Sequence, residues 1–189
     1  IAIRSSFQGL PYGPDAVDMV ECHATSTRQG DVEEVRALKA IFDPSRRTAL
    51  TSFKSQIGHT LGSSGMNNLI RGVMAMKAGV FPPTINYTHP DPEISLNGSG
   101  LFIAAEPLDW QCRAGQPRRF QVNAFGFGGS NYIVQVEQSM DEKDAVLILP
   151  SIGHAPAGEK AGGASVPQGI SFFRTQMGDR NFRLAVVAQ

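Results

Sequence analysis

Three short apolar runs in this chain each break off directly into polar or glycine-rich residues. Val17 to Cys22 runs into His23, Ala49 to Phe53 runs into the segment Lys54 to His59, and Arg119 to Phe127 carries Gly126 and runs into Gly128 and Gly129. Short runs rich in β-branched and aromatic residues predict buried strands. In α/β folds, functional groups gather at the carboxyl ends of strands, so His23 and His59 are expected to face one cleft. Helical spacing separates the runs: Val35, Leu38, Ile41 and Phe42 first, then Met66, Leu69, Ile70, Val73 and Met74. The order strand, helix, strand, helix, then two or more strands predicts an α/β layered fold with a mixed sheet and buried helices.

Local signals refine this outline. Pro11, Gly13 and Pro14 predict a loop over residues 1 to 15. Asp31 followed by Glu34 reads as a capping box opening the first helix, which Asp43-Pro44 stops. Lys54 to Thr60 reads as a polar loop, and the second helix starts near Ser63 or Ser64 and ends at Gly79. The methionines Met66, Met74 and Met76 read as core packing. Val80 to Leu96, with four prolines, predicts an extended loop. A short strand follows at Leu101 to Ala104, and the last apolar runs form a strand pair around the glycine turn. Residues 1–138 form the expected unit. A linker over 139–169 follows, its 155–169 stretch rich in Ala, Gly and Pro, and 170–189 begins another linker or domain.

Composition narrows the function classes. Lys plus Arg and Asp plus Glu are both 17, so no bulk charge draws the chain to nucleic acid or a membrane surface. No apolar stretch has the length of a membrane span. Cys22 and Cys112 lack metal-ligand spacing, so no metal is expected. Two isolated thiols predict a reducing, cytoplasmic setting. The start at Ile1 and the end within an apolar run predict a chain cut from something longer.

Three segments carry the chemistry: His23-Ala24-Thr25-Ser26-Thr27 with Gly30-Asp31 after it, Lys54-Ser55-Gln56-Ile57-Gly58-His59, and Asn123 through Asn131 with Gly126, Phe127, Gly128 and Gly129 at its centre. In this order they resemble the ketosynthase branch of the thiolase-like superfamily. The patterns matched are His-Gly-Thr-Gly-Thr, Lys-Ser-x-x-Gly-His and Asn-x-Phe-Gly-Phe-Gly-Gly-x-Asn. The resemblance implies the C-terminal half of a β-ketoacyl synthase domain from a polyketide or fatty-acid synthase. It implies decarboxylative Claisen condensation of an acyl thioester with malonyl on an acyl carrier protein. No cofactor binds directly; phosphopantetheine arrives on the carrier.

The same resemblance implies the roles. His23 and His59 stabilise the enolate oxygen, and Lys54 sets the electrostatics, its carboxylate partner unidentified. Thr25 and Thr27 line the phosphopantetheine channel. The Phe127 N–H serves the oxyanion hole while its ring gates the acyl pocket, and Gly126, Gly128 and Gly129 let the turn approach the substrate. A homodimer is implied, completed by the N-terminal half of the same domain.

Two departures stand out. Ala24 and Ser26 replace the family glycines. The nucleophilic cysteine is missing: Cys22 precedes the first histidine, Cys112 lies in a Trp-Gln-Cys-Arg loop, and neither has the strand-to-helix elbow context. Strand alternation turns the Cys22 sulfur away from the cleft. A non-catalytic chain-length-factor-like partner domain is the alternative; both histidines and Lys54 favour the active enzyme. A carbon-bond-breaking thiolase is disfavoured because Phe125 to Asn131 holds no cysteine.

Overall fold

A computed structural model describes residues 1–111 and 113–140, together with the backbones of strands at 145–147, 171–177 and 180–186. Its centre is a five-stranded sheet built from β1 (Met19–Glu21), β2 (Thr48–Thr51), β4 (Leu101–Ile103), β6 (Arg119–Phe125) and β7 (Asn131–Glu137), in the order β4-β2-β1-β6-β7. β4, β2, β1 and β6 run parallel, and the β6–β7 hairpin is antiparallel. β3 (Val80–Phe81) and β5 (Leu108–Asp109) pair apart from this sheet. β8 (Ala145–Leu147), β10 (Arg180–Val186) and β9 (Ser171–Met177) form a third one.

Alternation along the central strands builds two cores. Met19, Ala49, Phe120, Val122 and Val136 pack with Leu69, Ala75 and Met76 of α4 (Ser64–Ala78). Val17, Val20, Cys22, Leu50 and Ile133 pack on the other face with Leu38 of α2 (Arg28–Lys39) and Ile3 of α1 (Ala2–Ser5). The approach of α4 to the sheet requires Gly72: a Cβ there would lie 2.2 Å from the Phe120 ring. Gly79, at φ 69°, ends α4 in the left-handed conformation.

Several local expectations are corrected. Residues 1–15 are not all loop, because α1 and a 3-10 turn at Pro14–Ala16 interrupt them. α2 starts at Arg28 with no side-chain cap from Thr27, so Asp31 and Glu34 are not a capping box. The expected loop after β2 contains α3 (Lys54–Ile57), and β3 interrupts the extended stretch from Val80.

The α4 stripe is the larger correction. Met66, Ile70 and Met74 are 55%, 50% and 64% exposed, while Asn68 and Arg71 are buried. Of the three methionines expected in the core, only Met76 is there. The helix has two working faces. Leu69 and Val73 of the stripe meet this sheet with Gly72, Ala75 and Met76, while Met66, Ile70 and Met74 are left bare. Of the expected linker 139–169, only 139–140 and β8 are described; its 155–169 stretch lies outside the described residues.

Candidate active site

His23 lies two residues past the end of β1, and its position is held from three sides. The backbone N–H groups of His23 and Ala24 both donate to the Glu34 carboxylate, each at 2.9 Å. The Phe125 N–H at the end of β6 donates to His23 Nδ1 at 3.3 Å, and the Phe125 ring lies 5.3 Å from the imidazole. His59 follows α3, and its ring meets that of His23 edge to face at 5.5 Å. The Leu61 N–H donates to His59 Nδ1 at 3.2 Å. A ring nitrogen that accepts an N–H bond carries no proton, so each imidazole has its proton on Nε2. Both rings therefore present an Nε2–H donor. Burial, then the charge of Lys54 and the neighbouring His59, push the His23 pKa down to about 4. His23 is neutral at neutral pH.

Lys54 opens α3, with Nζ buried and without a hydrogen-bond partner among the described residues. Burial pushes its pKa down; Glu34, Glu21, Cys22 and Asp31 oppose this. Three carboxylates thus surround the ammonium, and none lies in salt-bridge contact. Glu21 is fully buried at the end of β1. It accepts from Arg71 Nη1 at 2.8 and 2.9 Å, from the Phe53 N–H at 2.7 Å and from the Thr51 hydroxyl. Burial drives its pKa up, and Arg71 leads the contacts that counter this. Glu21 thereby fastens the ends of β1 and β2, the start of α3 and α4 to one carboxylate. The sequence signalled this only as an acid inside an apolar strand and a base inside an apolar helix.

A cavity of about 680 Å³ opens beside Lys54 and His59, with Thr25 and Ser52 on its wall and the 84–94 segment across it. His59, Lys54 and Thr25 line it, and His23 joins them through its ring contact with His59 without itself being on the wall. Thr27 Oγ1 lies 3.2 Å from Thr25 Oγ1 but is not part of the cavity wall. Phe127, Gly128 and Gly129 lie off the wall as well, and the Phe127 ring is 98% exposed. Gly128 and Gly129 take φ 85° and 89°, which their turn needs.

Cys22 is 5% exposed, its thiol directed to the Val20 carbonyl, and burial raises its pKa well above the ordinary range. Cys22 packs into the α2-face core and also borders the cavity. Cys112 lies outside the described residues. Among the described residues no group of three His, Cys, Asp or Glu could hold a metal ion, and no helix is long and apolar enough to cross a membrane.

The turn after His23 holds two non-glycine residues at positive φ, Ala24 at 30° and Ser26 at 63°. The left-handed conformation costs an L-residue about 1–2 kcal/mol. Ser26→Gly is therefore expected to raise unfolding stability by about 1 kcal/mol, read from the chemical-denaturation midpoint. An unchanged or lower midpoint would show that the turn carries no such strain.

Residues 1–88 match the model of the beta-ketoacyl synthase, C-terminal domain. The chain belongs to the β-ketoacyl synthase family. A highly reducing polyketide synthase of Aspergillus terreus is 38% identical over 137 residues, 71% of this chain and 5% of that protein. The pikromycin polyketide synthase component PikAII of Streptomyces venezuelae is 37% identical over 142 residues, 72% of this chain and 4% of that protein. The ketosynthase from module 6 of the bacillaene synthase of Bacillus subtilis superposes with a TM-score of 0.70 at 30% identity, over 75% of this chain and 27% of that one. The chain thus spans about a quarter of that solved ketosynthase, and its central sheet has the thiolase-like α/β fold expected from the sequence.

Proposed function

We propose that the parent protein uses this segment as the enolate-stabilising half of a β-ketoacyl synthase. One observation carries the reading: both imidazoles accept backbone N–H bonds at Nδ1, so two Nε2–H donors stand on rings 5.5 Å apart. In the proposed reaction, malonyl on an acyl carrier protein loses carbon dioxide. The electrons of the broken C–C bond pass into an enolate whose oxygen takes both N–H donors. Preorganised donors of this kind act most strongly where water is excluded. The enolate carbon then attacks the acyl thioester, and the cysteine thiolate leaves.

Lys54 biases the site toward negative charge and keeps His23 neutral. Thr25 and Thr27 face the phosphopantetheine arm that the carrier brings. Phe127, with Gly126, Gly128 and Gly129 around it, supplies the oxyanion N–H and the gate for the acyl group. The cysteine nucleophile is assigned to the N-terminal half of the domain, and the working unit to a homodimer. The exposed Met66, Ile70 and Met74 stripe supports a packing partner outside this chain.

The test is to incubate the purified parent with an acyl thioester, map the covalent adduct by mass spectrometry and then add malonyl carrier protein. The expected adduct sits on a cysteine outside residues 1–189, and chain extension follows. The 189-residue chain alone is expected to form no adduct. A stoichiometric adduct on Cys22, or a parent that neither acylates nor decarboxylates, overturns the reading.

A further inference from the structure

Three amide side chains are fully buried on the α2 face of the sheet, which is otherwise lined by apolar residues such as Val20, Leu38 and Ile133. Gln121 and Gln135 are cross-strand partners in the β6–β7 register, and Asn123 lies two residues beyond Gln121, on the same face. Their hydrogen bonds run one way. Gln135 Nε2 donates to Ser6 Oγ at 2.9 Å and to Gln121 Oε1 at 2.7 Å. Gln121 Nε2 donates to Asn123 Oδ1 at 2.6 Å, and Asn123 Nδ2 donates to Glu34 Oε1 at 2.7 Å. Gln121 and Asn123 each accept from the amide farther from the site and donate toward it, while Gln135 starts the chain, its Oε1 without a hydrogen-bond partner among the described residues. The chain ends on the carboxylate that takes the His23 and Ala24 N–H groups.

We propose that Gln121, Gln135 and Asn123 form a one-way amide relay that positions His23 through Glu34. The inference rests on the ketosynthase reading for its catalytic consequence, and on geometry alone for its effect on the His23 backbone. Serial amides in a low-dielectric interior polarise one another, and here each amide donates one N–H bond to the next group toward Glu34. Glu34 is buried, and desolvation works against its charge. A donor aimed at Oε1 helps keep it an acceptor for both backbone N–H groups. A protonated Glu34 has one oxygen committed as a donor and cannot hold both. The turn it holds includes Ala24 at φ 30°, so it is the part of the site most in need of an external clamp.

The test uses the full-length parent with Gln121→Met, Gln135→Met and the double variant. Gln121→Met is expected to lower malonyl decarboxylation about tenfold, the effect of one lost buried hydrogen bond, with KM for the malonyl carrier and self-acylation unchanged. With one donor lost to the relay, Glu34 protonates at higher pH, so the acid limb of the decarboxylation profile moves up. Hydrogen exchange of the peptide holding the His23 and Ala24 amides becomes faster. Gln135→Met gives a smaller effect in the same direction.

The double variant recovers stability, because both ends of the cross-strand bond are then apolar, but it keeps the shifted acid limb. An equal fall of decarboxylation and acylation with no movement of the acid limb overturns the relay, and so does an unchanged profile. A wild-type parent without decarboxylase activity refutes the ketosynthase reading instead. The relay is then judged by exchange at residues 23 and 24 alone: faster exchange in Gln121→Met supports it, and unchanged exchange overturns it.

Discussion

His23→Ala in the parent protein is expected to lower malonyl decarboxylation by about 10²–10³-fold, the usual cost of removing one oxyanion donor. Thiol acylation should stay nearly intact. The distinction follows from where the proton sits. His23 Nδ1 is occupied by the Phe125 N–H, which leaves Nε2–H as a donor and no free lone pair to act as a base on a thiol. Removing the ring therefore removes charge stabilisation and leaves thiolate formation alone. The loss should be the same at pH 6 and pH 8, since the imidazole, held down to about 4, does not titrate in that range. His59→Ala should likewise lower decarboxylation and spare acylation, because its Nδ1 is occupied by the Leu61 N–H. Paired assays of carbon dioxide release and of covalent acylation check both. A His23→Ala protein with full decarboxylation removes the role assigned to that ring, and one that loses acylation first makes it a base.

What could be read from residues alone followed short-range pattern. The two histidines stood out because each comes soon after an apolar run, and a strand end is where a parallel sheet exposes polar groups. The alternation of strands and helices along the chain and the hairpin around Gly128 were legible from the same short-range pattern. Glu34 was misread because a local rule competed with a distant partner. Asp31 and Glu34 have capping-box spacing, yet the Glu34 carboxylate is taken by His23 and Ala24, eleven and ten residues back, and by Asn123, 89 residues on.

The α4 stripe misled for a different reason. Periodicity reports which residues share a face but not which neighbour that face meets. Leu69 and Val73 of the stripe meet the sheet together with Gly72 and Ala75, which carry little hydrophobic signal, whereas Met66, Ile70 and Met74 carry the signal and face away from it. Glu21 and Arg71, 50 residues apart, are each an anomaly in an apolar element, and only their meeting explains either.

Arg71→Met is expected to destabilise the parent protein by about 3–5 kcal/mol, the range found when one partner of a buried ion pair is removed. Arg71 is 7% exposed and Glu21 0%. Loss of the guanidinium leaves a buried carboxylate with the Thr51 hydroxyl and the Phe53 N–H as its remaining donors. It also releases the Pro83 carbonyl, which Arg71 Nη2 holds at 2.5 Å.

The pH dependence separates this cause from simple loss of packing. Burial already drives the Glu21 pKa up, and Arg71 is the first of the groups that oppose it. Without Arg71 the folded-state pKa rises further above the unfolded one, so the folded protein binds the extra proton more tightly. Stability from such a group is fully present below the unfolded pKa and is lost as pH rises through the folded pKa. The deficit of Arg71→Met should therefore be larger at pH 8 than at pH 5, as read by urea unfolding at both. Glu21→Gln combined with Arg71→Met removes the stranded charge and should recover part of the loss at pH 8 while changing little at pH 5. An equal deficit at the two pH values, unchanged by the second substitution, would mean that the pair contributes through packing and that its charges do not hold the strand ends together.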